Sequence, residues 1–111
     1  MLEPIIRENA NGGKGRLIIQ PILSEEEMGG KCRLYARVTI PAGSSMGTHT
    51  HHGDGESYYI LEGRGLYTGD GESREVGPGD AAFCPDGHSH AIENIGSTDL
   101  VMMALIIYSG K

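Results

Sequence analysis

The chain has 111 residues and 11.8 kDa, with 9 Lys plus Arg against 15 Asp plus Glu for a formal net charge of −6, a size that suits one domain over residues 1–111 with an ordinary apolar core. Its basic residues are scattered singly from Arg7 to Lys111, which excludes the clustered positive footprint of a nucleic-acid binder. The longest uncharged apolar run, Leu100 to Tyr108, is about half of what crosses a bilayer, and residues 1–13 lack the apolar stretch of a signal peptide, so no membrane partner and a soluble, cytoplasmic protein are expected.

The 18 glycines recur too often between Gly43 and Gly96 for a helix of normal length, and with no Trp and one Phe the bulk of the core must come from Ile, Leu and Tyr, a mixture that favours strands. A first strand is predicted over 16–23. Ser24-Glu25-Glu26-Glu27 then forms a capping box for a single helical turn, stopped by Gly29 and Gly30. Over 32–40, Cys32, Leu34, Ala36, Val38 and Ile40 alternate with Arg33, Tyr35, Arg37 and Thr39, the pattern of a strand with one buried face, ended by Pro41 and Gly43. Further strands are predicted over 46–51, 56–61, 65–68, 73–76, 81–84, 90–93 and 100–108. Gly69-Asp70-Gly71 supplies a hairpin turn and Gly77-Pro78-Gly79-Asp80 a second tight corner. Many short strands separated by turn signals indicate an all-β sandwich or barrel.

Two segments break the alternation. Leu17-Ile18-Ile19 and the run from Val101 to Ile107 are apolar on both faces, which calls for a second covering surface. A copy of the same chain in a twofold homodimer supplies one, and the chain's own N-terminal segment supplies another. Cys32 and Cys84 are in no CxxC spacing and read as reduced, buried thiols.

Four of the five histidines fall in two short stretches, His49-Thr50-His51-His52 and His88-Ser89-His90. On a strand His49 and His51 project from one face and His52 from the other. Glu56 opens the next strand after a short connection, so two imidazoles and a carboxylate form three corners of a metal site that His90 can close. These donors suit one divalent manganese, iron, nickel, cobalt, copper or zinc ion, and the lack of thiolate ligands argues against a closed structural zinc site. Around an ion that prefers six ligands, four protein donors leave two adjacent positions for water, dioxygen or a chelating small molecule. Tyr58 shares the parity of Glu56, and its hydroxyl either meets a ligand in the cavity or belongs to the core. His88 is either a proton carrier at the pocket mouth or an exposed loop residue. Met46, Met102 and Met103 read as packing.

From Gly43 to Gly63 the chain reads G-x5-H-x-H-x4-E-x6-G, and from Gly79 to Asn94 it reads G-x5-P-x-G-x2-H-x3-N. The two stretches resemble the first and second motifs of the cupin superfamily at every position, in the compact spacing of its microbial members. The resemblance implies a single-domain double-stranded β-helix, or jelly-roll barrel, holding a metal through His49, His51, Glu56 and His90. It implies corners with positive φ at Gly63 and Gly79, a turn at Pro85-x-Gly87 that aims His90 inward, and Asn94 as a hydrogen bonder at a strand end. Because this superfamily spans many functions, three classes are carried forward. The first is a small metal-dependent enzyme, an oxidoreductase such as a dioxygenase or a lyase resembling oxalate decarboxylase, acting on a small chelating oxygenated or carboxylated molecule. No motif for a decarboxylase's general acid is recognisable. The second is a metal-bearing module that binds a sugar or small acid without turnover, and the third is a dimeric interaction domain with a vestigial site.

Overall fold

The computed structural model describes residues 2–110. Its strands, in chain order, are β1 (Ile5–Glu8), β2 (Arg16–Pro21), β3 (Cys32–Ile40), β4 (Ser45–Thr50), β5 (Asp54–Glu62), β6 (Gly65–Gly69), β7 (Glu72–Val76), β8 (Ala81–Cys84), β9 (Ser89–Asn94) and β10 (Leu100–Tyr108). They pair into a six-stranded sheet in the order β1-β2-β3-β10-β5-β8 and a four-stranded sheet in the order β4-β9-β6-β7. Every pairing among them is antiparallel, and the expected jelly-roll β fold is the one observed. A 3-10 turn at Ala10–Gly12 and the helical turn α1 (Glu25–Met28) complete the regular structure. In α1 the capping box is closed as the sequence predicts: Glu27 N donates to Ser24 Oγ at 3.1 Å and Ser24 N donates to Glu27 Oε1 at 2.9 Å. No helix of the described residues is long and apolar enough to cross a membrane.

Period-two rows on the inward faces separate a core end from a polar end. On β5 the row is Asp54, Glu56, Tyr58 and Ile60, all buried, while Ser57, Tyr59 and Leu61 face the other way. Across the ladder, β10 sets Met102 against Ile60, Ala104 against Tyr58 and Ile106 against Glu56, with Val38, Ala36 and Leu34 of β3 on its far side. The small side chains of Ala36 and Ala104 leave space for the Tyr58 ring. The apolar cluster of Leu17, Val38, Ile40, Ile60, Val76, Ile92, Leu100 and Met102 fills the interior beyond that ring. Full burial of each such side chain contributes about 1.5–3 kcal/mol. The fold therefore rests on this apolar end, and the polar end is carried by it.

Gly63 and Gly79 hold their corners at φ 89 and 90, as the motif resemblance implies. At Gly63 the reason is double, since a Cβ there would also lie 2.4 Å from the Asp99 carbonyl oxygen. Asn94 is buried at the end of β9 and ties three backbone groups: its Nδ2 donates to the Ile40 and Thr98 carbonyls, both at 2.8 Å, and its Oδ1 accepts from Gly96 N at 2.8 Å.

Two features differ from the sequence-based expectation. Residues 5–8 form a strand that carries no alternation, because all four are exposed and join β2 through backbone pairing alone. This N-terminal strand extends the six-stranded sheet in its own plane and does not cover its outer face. That face keeps Met103 and Leu105 half-buried and leaves Tyr59 at 48%, Phe83 at 57% and Ile107 at 44% exposure.

Candidate metal centre

His49 lies on β4 directly opposite His90 on β9, so the first and second motifs meet in one ladder. His51 follows the end of β4, where its backbone is tied to the second motif: its N–H donates to the His88 carbonyl at 3.0 Å and its carbonyl accepts from Gly87 N at 2.8 Å. Gly87 takes φ 85 in that turn, which lets the backbone double back beside His51. Glu56 reaches the same point from the β5 row.

The four donor atoms converge. Glu56 Oε1 lies 3.4 Å from His49 Nε2, 3.2 Å from His51 Nε2 and 3.0 Å from His90 Nε2, and His90 Nε2 lies 3.1 Å from His51 Nε2 and 2.9 Å from His49 Nε2. Adjacent donors around a six-coordinate divalent ion with bonds of about 2.0–2.2 Å stand about 2.8–3.1 Å apart. Most of these separations fall in or beside that range, so the residues fit such an ion. His51, Glu56 and His90 are buried and His49 is half-buried.

Each imidazole is held from behind by a partner at Nδ1. His51 Nδ1 donates to Asp54 Oδ1 at 2.7 Å, His49 Nδ1 donates to the Gly47 carbonyl at 3.2 Å, and His90 Nδ1 lies 3.0 Å from Tyr67 Oη. The Asp54 carboxylate and the Gly47 carbonyl can only accept, so in His51 and His49 the proton is on Nδ1 and Nε2 faces the centre, as a metal ligand requires, while Tyr67 Oη, able to donate or accept, fixes the orientation of the His90 ring. Asp54 is 0% exposed, and its second oxygen is ion-paired with Arg33. Sequence reasoning assigned nothing to Asp54 or Tyr67. Asp54 shares the parity of Glu56 and could have been found by extending that row back through the turn. Tyr67 reaches His90 across neighbouring strands and leaves no local signal.

Charge and burial act on these groups in opposite directions. Burial pushes Glu56 up, but hydrogen bonds from His49 and His90 and their charge hold its carboxyl down at about 2. Burial lowers His90, and the hydrogen bond it donates to Glu56 does not restore it. For His49, burial is outweighed by Glu56, by the Gly47 carbonyl and by the charge of Asp54, and its pKa lies above the ordinary 6.5.

Tyr58 is brought to the site. Its ring stacks on His90 with centroids 5.0 Å apart, and its hydroxyl donates to Glu56 Oε1 at 3.2 Å. Burial, with the Glu56 charge beside it, keeps that hydroxyl protonated well above its usual range. His88 is not brought there: it is exposed and hydrogen-bonded to Asp70 on the outside. His52 is exposed on the rim of the cavity that opens onto the donors. Met46 and Met102 pack in or against the core, while Met103 is half-buried on the outer sheet face. Cys84 is buried and Cys32 half-buried, both as free thiols.

The sequence profile of the Cupin domain family matches residues 36–108, a span that contains all four donors. The chain belongs to the cupin family. This cupin is 46% identical over 99 residues, 89% of its length and 82% of the other's, to a protein of Thermotoga maritima named an oxalate-binding protein. It superposes with a TM-score of 0.92 and 44% identity, over 96% of this chain and 93% of the other, on a Thermotoga maritima crystal structure described as a predicted oxalate decarboxylase. The cupin domain of Schizosaccharomyces pombe Cnp3 matches at a TM-score of 0.77 over 95% of this chain and 69% of the other, at 17% identity, and so shares the fold.

Three outcomes are expected. Protons compete with a metal for the imidazoles, and His49 is protonated first as pH falls because its pKa is raised; His90 follows at lower pH and Glu56 stays ionised to about 2. Apparent affinity for zinc or manganese therefore declines, by up to about tenfold per pH unit for each titrating imidazole, from near neutrality downward, and competition titrations against a chromophoric chelator from about pH 8 to about pH 5 measure the slope. An affinity flat across that range contradicts the site. Separately, His51→Ala is expected to lose most bound metal by elemental analysis while keeping its strand circular dichroism, and Asp54→Asn to weaken metal binding by about 10- to 100-fold. Unfolding of His51→Ala would instead make the centre structural.

Proposed function

We propose that this cupin, acting as one domain, binds a small chelating carboxylate through one divalent transition-metal ion held by His49, His51, Glu56 and His90. The convergence of the four donor atoms carries the proposal. When bound, the ion supplies a Lewis acid and a template for two ligand oxygens. The residues of the chain do the rest. Asp54, Gly47 and Tyr67 hold the imidazoles in their ligating orientation, and Leu17, Leu34 and Ile106 give the cavity that opens onto the donors an apolar wall. The name of the oxalate-binding relative supports a carboxylate as ligand.

Capture without turnover is the form the cavity favours. Of its two lining carboxylates, Glu56 belongs to the donor set and Asp54 is taken by His51 and Arg33, so among the described residues neither is free to give a proton to a departing product. One observation favours the second reading, an oxalate decarboxylase-like lyase or a dioxygenase. The Tyr58 hydroxyl donates to Glu56 Oε1 at 3.2 Å and so sets a proton at the edge of the donor set.

Thermal unfolding in the presence of oxalate, with and without manganese, separates these readings. Oxalate is expected to stabilise the metal-loaded protein, by about 2.7 kcal/mol at a hundred times its dissociation constant, and to leave His51→Ala and the metal-free protein unchanged. Stabilisation that ignores the metal would overturn the proposal. Release of carbon dioxide or consumption of dioxygen by the loaded protein selects the second reading.

The proposal includes a twofold homodimer built on the outer face of the six-stranded sheet, where Tyr59, Phe83 and Ile107 are exposed around half-buried Met103 and Leu105. It places the protein in the cytoplasm, where Cys32 and Cys84 stay reduced. Sedimentation equilibrium is expected to give twice the chain mass for the wild type and a monomer for Phe83→Glu with its metal content intact. A wild-type monomer at micromolar concentration excludes the dimer.

A further inference from the structure

The cavity that opens onto the donors has a volume of about 560 Å³, which leaves room for diacids longer than oxalate. Its lining includes two arginines from different strands, Arg7 of β1 and Arg33 of β3. Arg33 is already engaged, by its ion pair with Asp54 and by its position over the Tyr108 ring at 5.9 Å. Arg7 forms no ion pair among the described residues. It lies across the β1–β2 ladder from Leu17, which is 1% exposed in the core, so Arg7 is on the inward side of the sheet although its strand is exposed. A protein with a formal net charge of −6 thus presents, on the cavity that opens onto the four donors, a guanidinium with no ion-pair partner among the described residues.

The charges around the cavity indicate what that guanidinium is for. A divalent ion together with Arg7 and Arg33 outweighs Glu56 and Asp54, and a dianion neutralises the excess where a monoanion does not. Around it the wall is apolar, with Ile19, Leu34, Met46 and Ile106, so an unneutralised charge there is costly and a matched one is favoured. An arginine also suits a carboxylate geometrically, since its planar fork gives two parallel N–H donors.

We infer that Arg7 is a specificity-determining residue, the second anchor that makes this site select dicarboxylates: one end of the ligand would meet the ion held by His49, His51, Glu56 and His90, and the free carboxylate oxygens meet Arg7. The inference rests on the proposed function and adds to it a ligand charge and a residue that reads that charge.

The test is isothermal titration of zinc-loaded protein with oxalate, malonate and succinate as dianions and with acetate and glycolate as monoanions. Wild type, Arg7→Met, Arg7→Lys and Arg37→Met are compared. Arg37 is on the outer face, paired with Glu62 at 3.7 Å, and serves as a control for loss of one positive charge. Arg7→Met is expected to weaken the best dicarboxylate by about 10- to 100-fold, to change monocarboxylates by less than about threefold, and to keep wild-type zinc content and circular dichroism. Arg7→Lys is expected to recover part of the loss, and Arg37→Met to match the wild type. The inference is overturned if Arg7→Met binds dicarboxylates as tightly as the wild type, if mono- and dicarboxylates weaken alike, if Arg37→Met reproduces the loss, or if Arg7→Met fails to hold zinc. A wild type that binds zinc but no carboxylate overturns the proposed function as well, whereas dicarboxylate binding indifferent to Arg7 leaves that function standing.

Discussion

At one end of the barrel the imidazole nitrogen of His90 and the carboxylate oxygen of Glu56 each lie 2.9 to 3.4 Å from the other donors of a cluster completed by His49 and His51, all four within 4.8 Å of one another, and a set of buried polar groups keeps them there. Lone pairs crowded in a water-poor pocket repel unless protons or a cation lie among them. The crowding is maintained from outside the cluster. Asp54 fixes His51, the Gly47 carbonyl fixes His49, and Tyr67 together with the stacked Tyr58 ring fixes His90. The centre is therefore preorganised by hydrogen bonds that do not depend on the ion, and an incoming cation meets ligands already turned toward it.

The β5 row explains how an apolar core and a polar centre share one small barrel. Four residues at period two, Asp54, Glu56, Tyr58 and Ile60, grade from ionised to apolar along a single strand face. Tyr58 is the boundary: its ring packs with the core and its hydroxyl meets Glu56. A carboxylate held down at about 2 next to such a core is stable because two imidazoles hydrogen-bond to it; without them burial would drive it neutral.

Much of this was legible in the sequence. The alternation over 32–40 and the apolar run over 100–108 coincide with β3 and β10, and the histidine spacing selects the four residues whose donors converge. What escaped has physical reasons. Residues 5–8 show no periodicity because no face of β1 is buried, so nothing but backbone pairing holds it. Asp54 lies between two glycines and looks like a turn residue, yet it begins a strand and turns inward. The two alternatives open for His88 share the same local pattern, and only the distant Asp70 carboxylate shows which way the ring faces. Arg7 acquires its place in the cavity solely through the register of β1 on β2, which no local pattern encodes.

The position of β10 has a consequence for how the chain acquires its shape. This strand comes last of the ten in chain order yet lies between β3 and β5 in the middle of the six-stranded sheet. During synthesis those two neighbours are made long before the segment that joins them, with their inner edges open. Closure must wait for a pairing between remote stretches of polypeptide, the kind of topology that folds in about milliseconds to seconds rather than microseconds. In that interval the exposed edges are templates for mispairing with another nascent chain. Zinc or manganese cannot shorten the wait, because its ligands all lie on β4, β5, β9 and the loop after β4, outside the strand that completes the sheet.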